Sequence, residues 1–446
     1  MQRAAGHAEA TTTKLYGRRG YNPEKSASSF ANYCAGQPLS ALFTAARISS
    51  TVIWPSLLAS PLSASACFST RRRSAASGMD RNRILVLGAY GLAGRVIVEK
   101  IRRTSQMAVI ASGRQRDRLQ EEFGGRQDER LETLELDATD VEQLRRACES
   151  VDLVINAVGP YNRSGADIAH TVIDCGRHYI DCANEQVHYE RLRGLHKTAR
   201  SAELLLVTGA GLIPGISTLL AAHLLAQHHE AEAVDIVYVQ PRPPYRDGGQ
   251  ASLMSGVLDA IYRPWSVHEG VRMPVTLGRS VRTTELPTPF GSRRLLEVPT
   301  LDVPILMARA HLREIHTWFN LGDQPAWMFG LIRLLNPAKR SWAYRVIDRI
   351  VGRLNRAEFD HAIKQGLGAQ AVLSVKTFGA GKELGATLHL TDGASPVGVL
   401  PARIVRDLAS GKIEERGLAT PIDLYRWVDV CEEVQQCVLR MEVDGE

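Results

Sequence analysis

The sequence of 446 residues has few cysteines, and none of them pair in a CxxC spacing. The seven cysteines are scattered and odd in number: Cys34, Cys67, Cys148, Cys175, Cys182, Cys431 and Cys437. This distribution argues against a disulfide framework and a zinc site, so we expect reduced thiols and no bound metal. No apolar run approaches the roughly 18 residues that a membrane-spanning helix needs. With 44% hydrophobic and 23% charged residues, the composition is that of a globular protein with two or three domains.

Acidic residues are scarce at the start of the chain. Residues 1–78 hold nine basic and two acidic residues. The whole chain has a net charge of +6, and residues 79–446 alone have a net charge of −1. The neutral remainder gives no electrostatic reason to expect nucleic acid as a partner. The Ser- and Ala-rich composition of 1–78 is typical of a disordered leader or an organellar transit peptide. Alternatively, the natural start is Met79. The expected location is cytoplasmic, or a mitochondrion or plastid if the leader is genuine.

Short apolar runs alternate with helical patterns in the first half of the folded region. The predicted strands are Ile84–Leu87, Ala108–Ala111, Leu131–Leu136, Leu153–Val158, His178–Cys182 and Leu204–Val207. The predicted helices are 91–104, 115–124, 140–149, 165–176, 187–201 and 215–227. Continuous apolar strands between helices indicate a parallel sheet covered on both faces. We therefore predict an α/β Rossmann domain over residues 79–230.

The regular alternation of predicted strands and helices ends after residue 230. A strand at Val234–Gln240 is followed by a helix near 250–262, a β-like stretch at 266–305 and a helical region at 308–364. A hairpin at Ala369–Thr377 and Leu384–Leu390 comes next, and helices at 397–410 and 421–435 close the chain. This pattern predicts a second, α+β domain over 231–396 for substrate binding or dimerisation. Residues 397–446 are predicted as helices.

A glycine-rich turn joins the first predicted strand to the first predicted helix. The segment reads Gly88-Ala89-Tyr90-Gly91-Leu92-Ala93-Gly94. The first glycine permits the tight turn, the second lets backbone approach a pyrophosphate, and the third lets the helix pack on the strand. The helix start then offers free N–H groups to phosphate. This context predicts a dinucleotide site that includes all of the residues from Gly88 to Ala93.

The end of the second strand indicates which dinucleotide is bound. An NAD-binding domain usually has an acidic residue here that accepts from the ribose 2′-hydroxyl, whereas this chain has Ser112, Arg114 and Arg116. A hydroxyl and two guanidinium groups favour a 2′-phosphate, so we predict NADP as the cofactor. Asp137, after the third strand, is either an adenine contact or a helix cap.

The fourth strand ends in small residues. Ala157, Val158 and Gly159 follow Asn156 and lie at the predicted crevice where the strand order reverses. We expect their backbone to lie against the nicotinamide half of the cofactor.

These segments together resemble the saccharopine dehydrogenase-like oxidoreductases. The resemblance rests on the glycine turn, the Gly113-Arg114 strand end and the segment Asn156, Val158, Gly159, Pro160, Tyr161, Gly165, Cys175, Gly176, His178, Tyr179, Asp181 and Glu185. Gly209-Ala210-Gly211-Leu212-Ile213-Pro214-Gly215 and a closing stretch at 411–421 add to it. The resemblance implies a Rossmann domain, an inserted α+β domain, and last helices that return to the Rossmann unit.

Hydride transfer requires little beyond orientation, a dry pocket and a proton donor. Tyr161 and Asp181 are our candidate donors or substrate-binding groups, because both follow strands that end at the crevice. His178, Cys182 and Glu185 are weaker candidates, with His178 readable as a core histidine. In the second domain, Arg242 and Arg246 before the turn at 247–252 are candidates for binding a carboxylate.

Three functions remain open at this point. The first is an NADP-dependent reductase of a small imine or amino-acid-derived substrate. The second reduces a hydrophobic carbonyl or enoyl compound, and the third is a non-enzymatic NADP-binding sensor or scaffold. We expect a small-molecule substrate, no nucleic acid and a homodimer. An apolar stripe within 327–356 is a candidate for a core or dimer face, or for peripheral contact with a membrane.

Overall fold

The computed structural model describes most of the chain after residue 80. The described residues are 81–125, 128–240, 264–276, 278–320, 366–367 and 369–444, with single helical positions at 334, 346, 349, 350, 353 and 364. The predictions for residues 1–78, the helix near 250–262, Arg242, Arg246 and the turn at 247–252 lie outside this part. So does most of the region 321–364.

The first half of the chain folds as the predicted alternation of strands and helices. Its strands are β1 Arg83–Leu87, β2 Ala108–Gly113, β3 Leu131–Glu135, β4 Leu153–Asn156, β5 His178–Asp181 and β6 Leu205–Val207. Its helices are α1 Leu92–Thr104, α2 Arg116–Phe123, α3 Val141–Cys148, α4 Tyr161–Asp174, α5 Gln186–Arg193, α6 His196–Ser201 and α7 Ile216–Gln227. All of the predicted strands form within two residues of their expected bounds.

Two helices differ from the expected bounds. The predicted helix 165–176 begins four residues earlier, at Tyr161. The predicted helix 187–201 divides into α5 and α6 at Gly194 and Leu195. The backbone amide of Gly194 donates to the carbonyl of Arg191 in a tight i to i−3 bond, which ends the regular i to i−4 ladder of α5.

The strands of the first half form a parallel sheet. With one later strand, β15 (Gly417–Ala419), the order is β15-β6-β5-β4-β1-β2-β3, and every pairing is parallel. Alternate residues of β1 enter different cores: Ile84 and Val86 pack on one face, and Leu85 and Leu87 on the other. This two-sided burial explains the continuous apolar run. The order reverses between β1 and β4, which is the Rossmann switch point.

The second half builds a mixed sheet. Its strands are β7 Ala233–Val239, β8 Trp265–His268, β9 Val271–Pro274, β10 Val281–Leu286, β11 Gly291–Glu297, β12 Glu314–Phe319, β13 Ala371–Gly379, β14 Lys382–Leu390 and β16 Val438–Asp444. The main order is β10-β11-β12-β7-β13-β14-β16, and the hairpin of β8 and β9 attaches through β12. A short helix, α8 (Asp302–Met307), lies between β11 and β12. The predicted class, a Rossmann sheet with a second α+β domain, is confirmed.

Three strands were missed by the sequence prediction. Residues 308–364 were predicted as helical, but β12 lies at their start and pairs in parallel with β7. Residues 397–446 contain helices α9 Val399–Ala409, α10 Pro421–Leu424 and α11 Trp427–Gln435, as well as β15 and β16. The prediction of helices alone is therefore wrong for this segment, which supplies one strand to each sheet.

The segment before α9 packs on the Rossmann unit. A Cβ added to Gly398, in the 3₁₀ turn Ser395–Gly398, would lie 2.8 Å from the carbonyl oxygen of Val96 on α1. Because this spacing leaves room only for glycine, the turn and α1 are in close backbone contact. The end of the chain therefore returns to the helix that begins at the glycine turn.

Four cysteines in the described part of the chain have free thiols, namely Cys148, Cys175, Cys182 and Cys437. Among the residues that the structure describes, no helix has the length and hydropathy needed to cross a bilayer.

Candidate cofactor and active site

The glycine turn has the backbone geometry that the sequence predicts. Gly88 has φ +71°, and a Cβ there would lie 3.0 Å from the carbonyl oxygen of Ala157. A Cβ on Gly94 would lie 2.2 Å from the carbonyl oxygen of Gly88. Both positions therefore require glycine, the first for its conformation and the second for the contact between α1 and β1.

The N-terminus of α1 is open to a ligand. Gly91 is the N-cap residue, none of the described side chains caps the helix, and its first turn holds no acidic residue. Leu92 and Ala93, in the first turn, are partly exposed. The first backbone N–H groups of a helix have no partner within the helix, and the helix dipole favours an anion there. This end of α1 therefore fits a pyrophosphate.

The tip of β2 presents arginines but not the predicted hydroxyl. Arg114 and Arg116 are exposed. Ser112 is fully buried, and its hydroxyl donates to the carbonyl of Val86 at 3.0 Å. The expectation that the Ser112 hydroxyl contacts a phosphate is therefore corrected: the hydroxyl stabilises the sheet. The carbonyl of Ser112 accepts from the amide of Ala89 at 2.8 Å and so holds the glycine turn.

An aromatic side chain of the glycine turn lies against this tip. A Cβ on Gly113 would lie 2.3 Å from Cε1 of Tyr90, so the tyrosine ring packs directly over the glycine. The guanidinium carbon of Arg118 lies 5.8 Å from the centroid of the same ring. Tyr90 thus joins the glycine turn to the predicted 2′-phosphate side, and Arg118 is a cation there that the sequence analysis did not single out.

Asp137 has a local structural role. Its Oδ1 accepts from the backbone amide of Thr139 at 2.9 Å and from the Thr139 hydroxyl at 2.7 Å. These bonds, and then the nearby Arg114, keep the pKa of Asp137 below its usual value. The cap of α3 is Asp140, which accepts from the amides of Glu142 and Gln143. Asp137 therefore stabilises the turn before the cap and is not itself the cap of α3.

The side chain of Asn156 stabilises the loop after β4 through hydrogen bonds. Its amide nitrogen donates to the Tyr179 hydroxyl at 2.9 Å, and its amide oxygen accepts from the backbone of Val158 at 2.9 Å. Ala157 and Val158 are partly exposed and Gly159 is exposed. A Cβ added to Gly159 would meet no described atom within 4 Å. The loop thus offers backbone beside the glycine turn, as predicted, with Asn156 as its support.

Asp181 is the centre of a buried network. It has no exposed surface, and its carboxylate accepts from the Thr208 hydroxyl and contacts His188 Nε2, each at 2.7 Å. The amides of Ala183 and Gly209 also donate to it. Burial raises the pKa of Asp181, but the bonds from His188 and Thr208 outweigh burial and hold the pKa below its usual value.

Tyr161 belongs to the same network. Its ring lies 5.5 Å from that of His188, and its hydroxyl donates to the carbonyl of Asn156 at 3.0 Å. Burial raises the pKa of this hydroxyl well above its usual value. The structure therefore brings Tyr161 and Asp181 close together, as predicted. It buries both within internal hydrogen bonds instead of presenting them to the crevice.

The weaker candidates also have internal partners. His178 is buried, and its Nδ1 accepts from the amide of Leu205 at 3.0 Å, so it is a core histidine that joins β5 to β6. The carboxylate of Glu185 accepts from the amide of Tyr161 and so binds the N-terminus of α4. The thiol of Cys182 is partly exposed and donates to the carbonyl of Ala210.

Gln186, which was not among the predicted site residues, joins the second domain to this edge of the sheet. The side-chain nitrogen of Gln186 donates to the carbonyls of Trp265 and Thr300, and its oxygen accepts from the amide of Trp265. Nearby, the amide of Leu301 donates to the carbonyl of Asn184. The loop after β5 is therefore a direct contact between the two sheets, on the side where parallel strands end. One feature of the sequence could have indicated His188 and Gln186 as candidates: both lie in the first turn of the helix that follows β5.

A surface cavity lies elsewhere. It has a volume of about 460 Å³ and is lined by Tyr189, Arg193 and Lys197 together with Leu418 and other residues near β15. None of the residues predicted to hold the cofactor lines it. This cavity is therefore separate from the site at the glycine turn.

Comparison with known proteins agrees with this site. Residues 84–207 match the family model of the saccharopine dehydrogenase NADP binding domain. Over 141 residues the chain is 27% identical to a probable mitochondrial saccharopine dehydrogenase-like oxidoreductase of Arabidopsis thaliana, covering 29% of this chain and 31% of the relative. Over 143 residues it is 24% identical to a lipid droplet localized protein of Caenorhabditis elegans, covering 30% and 34%. The matches thus span about a third of these relatives.

The whole fold also has a solved counterpart. Saccharopine dehydrogenase (L-Glu forming) of Saccharomyces cerevisiae superposes with a TM-score of 0.55 at 15% identity, covering 81% of this chain and 99% of that one. At this identity the likeness concerns the fold. The glycine turn and the open helix N-terminus lie in the Rossmann domain, whose residues 84–207 are similar to the saccharopine dehydrogenase NADP binding domain.

Proposed function

We propose that the chain is an NADP(H)-dependent oxidoreductase that acts on a small imine or amino-acid-derived substrate. The observation that carries the cofactor part of this proposal is the uncapped N-terminus of α1 behind a turn whose Gly88 and Gly94 admit no side chain. The substrate class rests on the resemblance to saccharopine dehydrogenase-like oxidoreductases. A site with this backbone shape and positive dipole suits a dinucleotide pyrophosphate. The family of the Rossmann domain supports the same ligand.

Each part of the crevice has a role in binding. The residues Gly88 to Ala93 would hold the pyrophosphate, Arg114 and Arg116 the 2′-phosphate, and Ala157 to Gly159 the nicotinamide side. A bound nicotinamide supplies or accepts the hydride. The chain orients it through the loop that Asn156 supports, and the contact of Gln186 with Trp265 and Thr300 closes the edge of the sheet against the second domain.

The preference for NADP over NAD is tested by binding. We expect saturable quenching of protein fluorescence, or enhancement of nicotinamide fluorescence, with NADPH at lower concentration than with NADH. The double substitution Arg114→Gln and Arg116→Gln should weaken NADPH by about tenfold or more, because a hydrogen bond to a charged group contributes about 1.5–3 kcal/mol. NADH binding should change little.

The matched control is Arg103→Gln. Arg103 is an exposed arginine of the same domain in the last turn of α1, at the opposite end of the helix from the glycine turn. This variant should bind both nucleotides as the wild type does. Equal weakening of NADPH and NADH in the double variant, or a wild-type preference for NADH, would remove the proposed 2′-phosphate site. Absence of binding by either nucleotide would refute the cofactor proposal.

We infer that Tyr161 and Asp181 position the crevice and do not supply the proton. The Tyr161 hydroxyl is engaged with the carbonyl of Asn156, and the Asp181 carboxylate with His188 and Thr208. Tyr161→Phe should lower stability by about 1 kcal/mol, the usual worth of one hydrogen bond, and leave kcat nearly unchanged. A fall in kcat of about 100-fold or more at unchanged KM would instead identify Tyr161 as the general acid.

A hydrophobic carbonyl or enoyl substrate is the second candidate. Leu334, Val346 and Ile350 are exposed at helical positions, with relative exposures of 76%, 43% and 47%. The name of the C. elegans relative places that protein at a lipid droplet. A screen of NADPH oxidation against imines, keto acids and enoyl compounds separates the two candidates. NADPH binding without turnover of any of these classes would favour a sensor or scaffold.

The compartment and the oligomeric state are separate proposals. The A. thaliana relative is named as probably mitochondrial, and residues 1–78 have the composition of a transit peptide. We propose an organellar location, which a fluorescent fusion with and without residues 1–78 tests: loss of organellar signal on deletion supports it, and an unchanged distribution contradicts it. Light scattering on the purified chain tests the expected homodimer.

A further inference from the structure

The second sheet brings two histidines and a glutamate together where β8 meets β12. The antiparallel pairing of Val267 with Ile315 places His268 opposite Glu314. His316 lies two residues further along β12 and therefore on the same face of the sheet as Glu314. One ligand atom from each of the three side chains lies within 4.8 Å of the others.

The donor atoms converge on one point. Nδ1 of His268 lies 2.8 Å, and Nε2 of His316 lies 3.0 Å, from the same oxygen, Oε2 of Glu314. The other oxygen of Glu314 accepts from the backbone amide of Glu269 at 3.0 Å, which fixes the orientation of the carboxylate. Two imidazole nitrogens and one carboxylate oxygen thus face each other from two paired strands.

A further carboxylate orients one of the histidines from behind. Oε1 of Glu297, a residue only 4% exposed, lies 2.7 Å from Nδ1 of His316. A carboxylate that accepts from Nδ1–H leaves the lone pair of Nε2 directed at the opposite side, which here is the cluster. This carboxylate–histidine arrangement is the one found behind the ligands of metal sites.

We propose that His268, Glu314 and His316 bind a divalent transition metal, with Zn²⁺ as the ion that best suits two imidazoles and a carboxylate. Zn²⁺ accepts these ligands at about 2.0–2.2 Å in a tetrahedral arrangement, and a water completes the set in sites with three protein ligands. His268 is 58% exposed, so the open position faces solvent. The expectation of no bound metal rested on cysteine spacing, and this set of ligands contains no cysteine.

The fold gives the metal a structural role. The hairpin of β8 and β9 spans Trp265–Pro274 and joins the main sheet through β12 in the described part of the chain. A metal held by His268 on β8 and by two residues on β12 cross-links the hairpin to the sheet. The same hairpin carries Trp265, the partner of Gln186, so the cross-link also supports the contact between the two sheets.

The test is Zn²⁺ binding by the untagged full chain after treatment with a chelator. Competition with a chromophoric chelator gives the stoichiometry and the dissociation constant. Wild type should bind one equivalent more than the double variant His268→Gln and His316→Gln. Glu297→Gln should retain that equivalent with an affinity about 10- to 100-fold weaker, the usual effect of removing the partner of a ligating histidine. Zn²⁺ should raise the Tm of wild type but not of the double variant.

The control is His311→Gln, which removes an exposed histidine of the segment just before β12. It should bind Zn²⁺ as the wild type does. Replacement by Co²⁺ identifies the ligands, because thiolates are softer ligands that give a near-ultraviolet charge-transfer band, whereas imidazole and carboxylate do not. Equal stoichiometry in the wild type and the double variant, or a thiolate band in wild type, overturns the proposal. Absence of binding by wild type would show that the cluster is only a hydrogen-bonded ion pair network.

Discussion

Acidification should destabilise the Rossmann domain through one buried histidine. His178 is 3% exposed, and its Nδ1 accepts a hydrogen bond from the amide of Leu205, so the neutral ring joins β5 to β6. Burial, with smaller contributions from the charges of Arg416 and Arg177, lowers the pKa of His178 to about 4. In the unfolded chain the pKa returns to about 6.5.

The sign and size of the effect follow from these two values. Between about pH 6.5 and about pH 4 the unfolded chain binds a proton at His178 that the folded chain does not, so lowering the pH favours unfolding. Within this window the free energy of unfolding falls by about 1.4 kcal/mol per pH unit from this residue alone. From about pH 7 to about pH 5, the loss amounts to roughly 2 kcal/mol.

The assay is urea unfolding, followed by far-ultraviolet circular dichroism at several pH values in that range. The comparison variant is His178→Asn, because an asparagine oxygen can accept from the Leu205 amide but does not titrate. The variant starts from a lower stability, since the smaller side chain leaves a gap, but its slope against pH should be shallower by one proton. If both proteins show the same slope, His178 is already protonated or exposed in the folded chain, and the buried neutral ring described above is refuted.

Three further predictions concern the site. Gly94→Ala should abolish saturable NADPH binding while far-ultraviolet circular dichroism shows a folded chain, because its Cβ would lie 2.2 Å from the carbonyl oxygen of Gly88; normal binding would contradict the close contact. Ser112→Ala should cost about 1 kcal/mol in urea unfolding, since the hydroxyl bonds to a buried carbonyl, and should leave the ratio of NADPH to NADH affinity unchanged; a lower ratio would return Ser112 to the phosphate site. Asp181→Asn should lower the free energy of unfolding by roughly 3–5 kcal/mol, because it replaces a fully buried carboxylate, which contacts His188 and accepts from Thr208, with an uncharged amide. A loss below about 1 kcal/mol would show that the charge of Asp181 is not needed.

The first sheet could be predicted because its local signals agree with the global fold. The inner strands β1 and β6 are continuous apolar runs, as burial on both faces requires, and Gly88 marks the turn after β1, whereas the edge strand β3 is mixed and partly exposed. The second sheet offered weaker signals. The segment Glu314–Phe319 mixes charged, polar and aromatic residues, yet Ile315 and Thr317 are fully buried, because β12 lies inside the sheet between β7 and β11. The order of strands is a long-range property that this local pattern does not contain.

The binding half of the site was more predictable than the catalytic half, for a geometric reason. Phosphate binding depends on backbone amides, and a glycine turn after a strand places these amides whatever the side chains do. Catalysis depends on where side chains point. The end of β5 at Asp181 lies at the predicted edge, but alternation along a strand sends its carboxylate to the same face as Tyr179, toward His188 on α5. The position of a residue in the sequence predicts at which edge of the sheet it lies, but not toward which face its side chain points. The partner of Asp181, His188, lies on a helix whose orientation about its own axis depends on tertiary packing.

Residues that follow a strand in a Rossmann fold are therefore good candidates for holding the crevice. Whether one of them also reaches the substrate depends on the contacts of its neighbours, which here keep Asp181 and Tyr161 inside the protein.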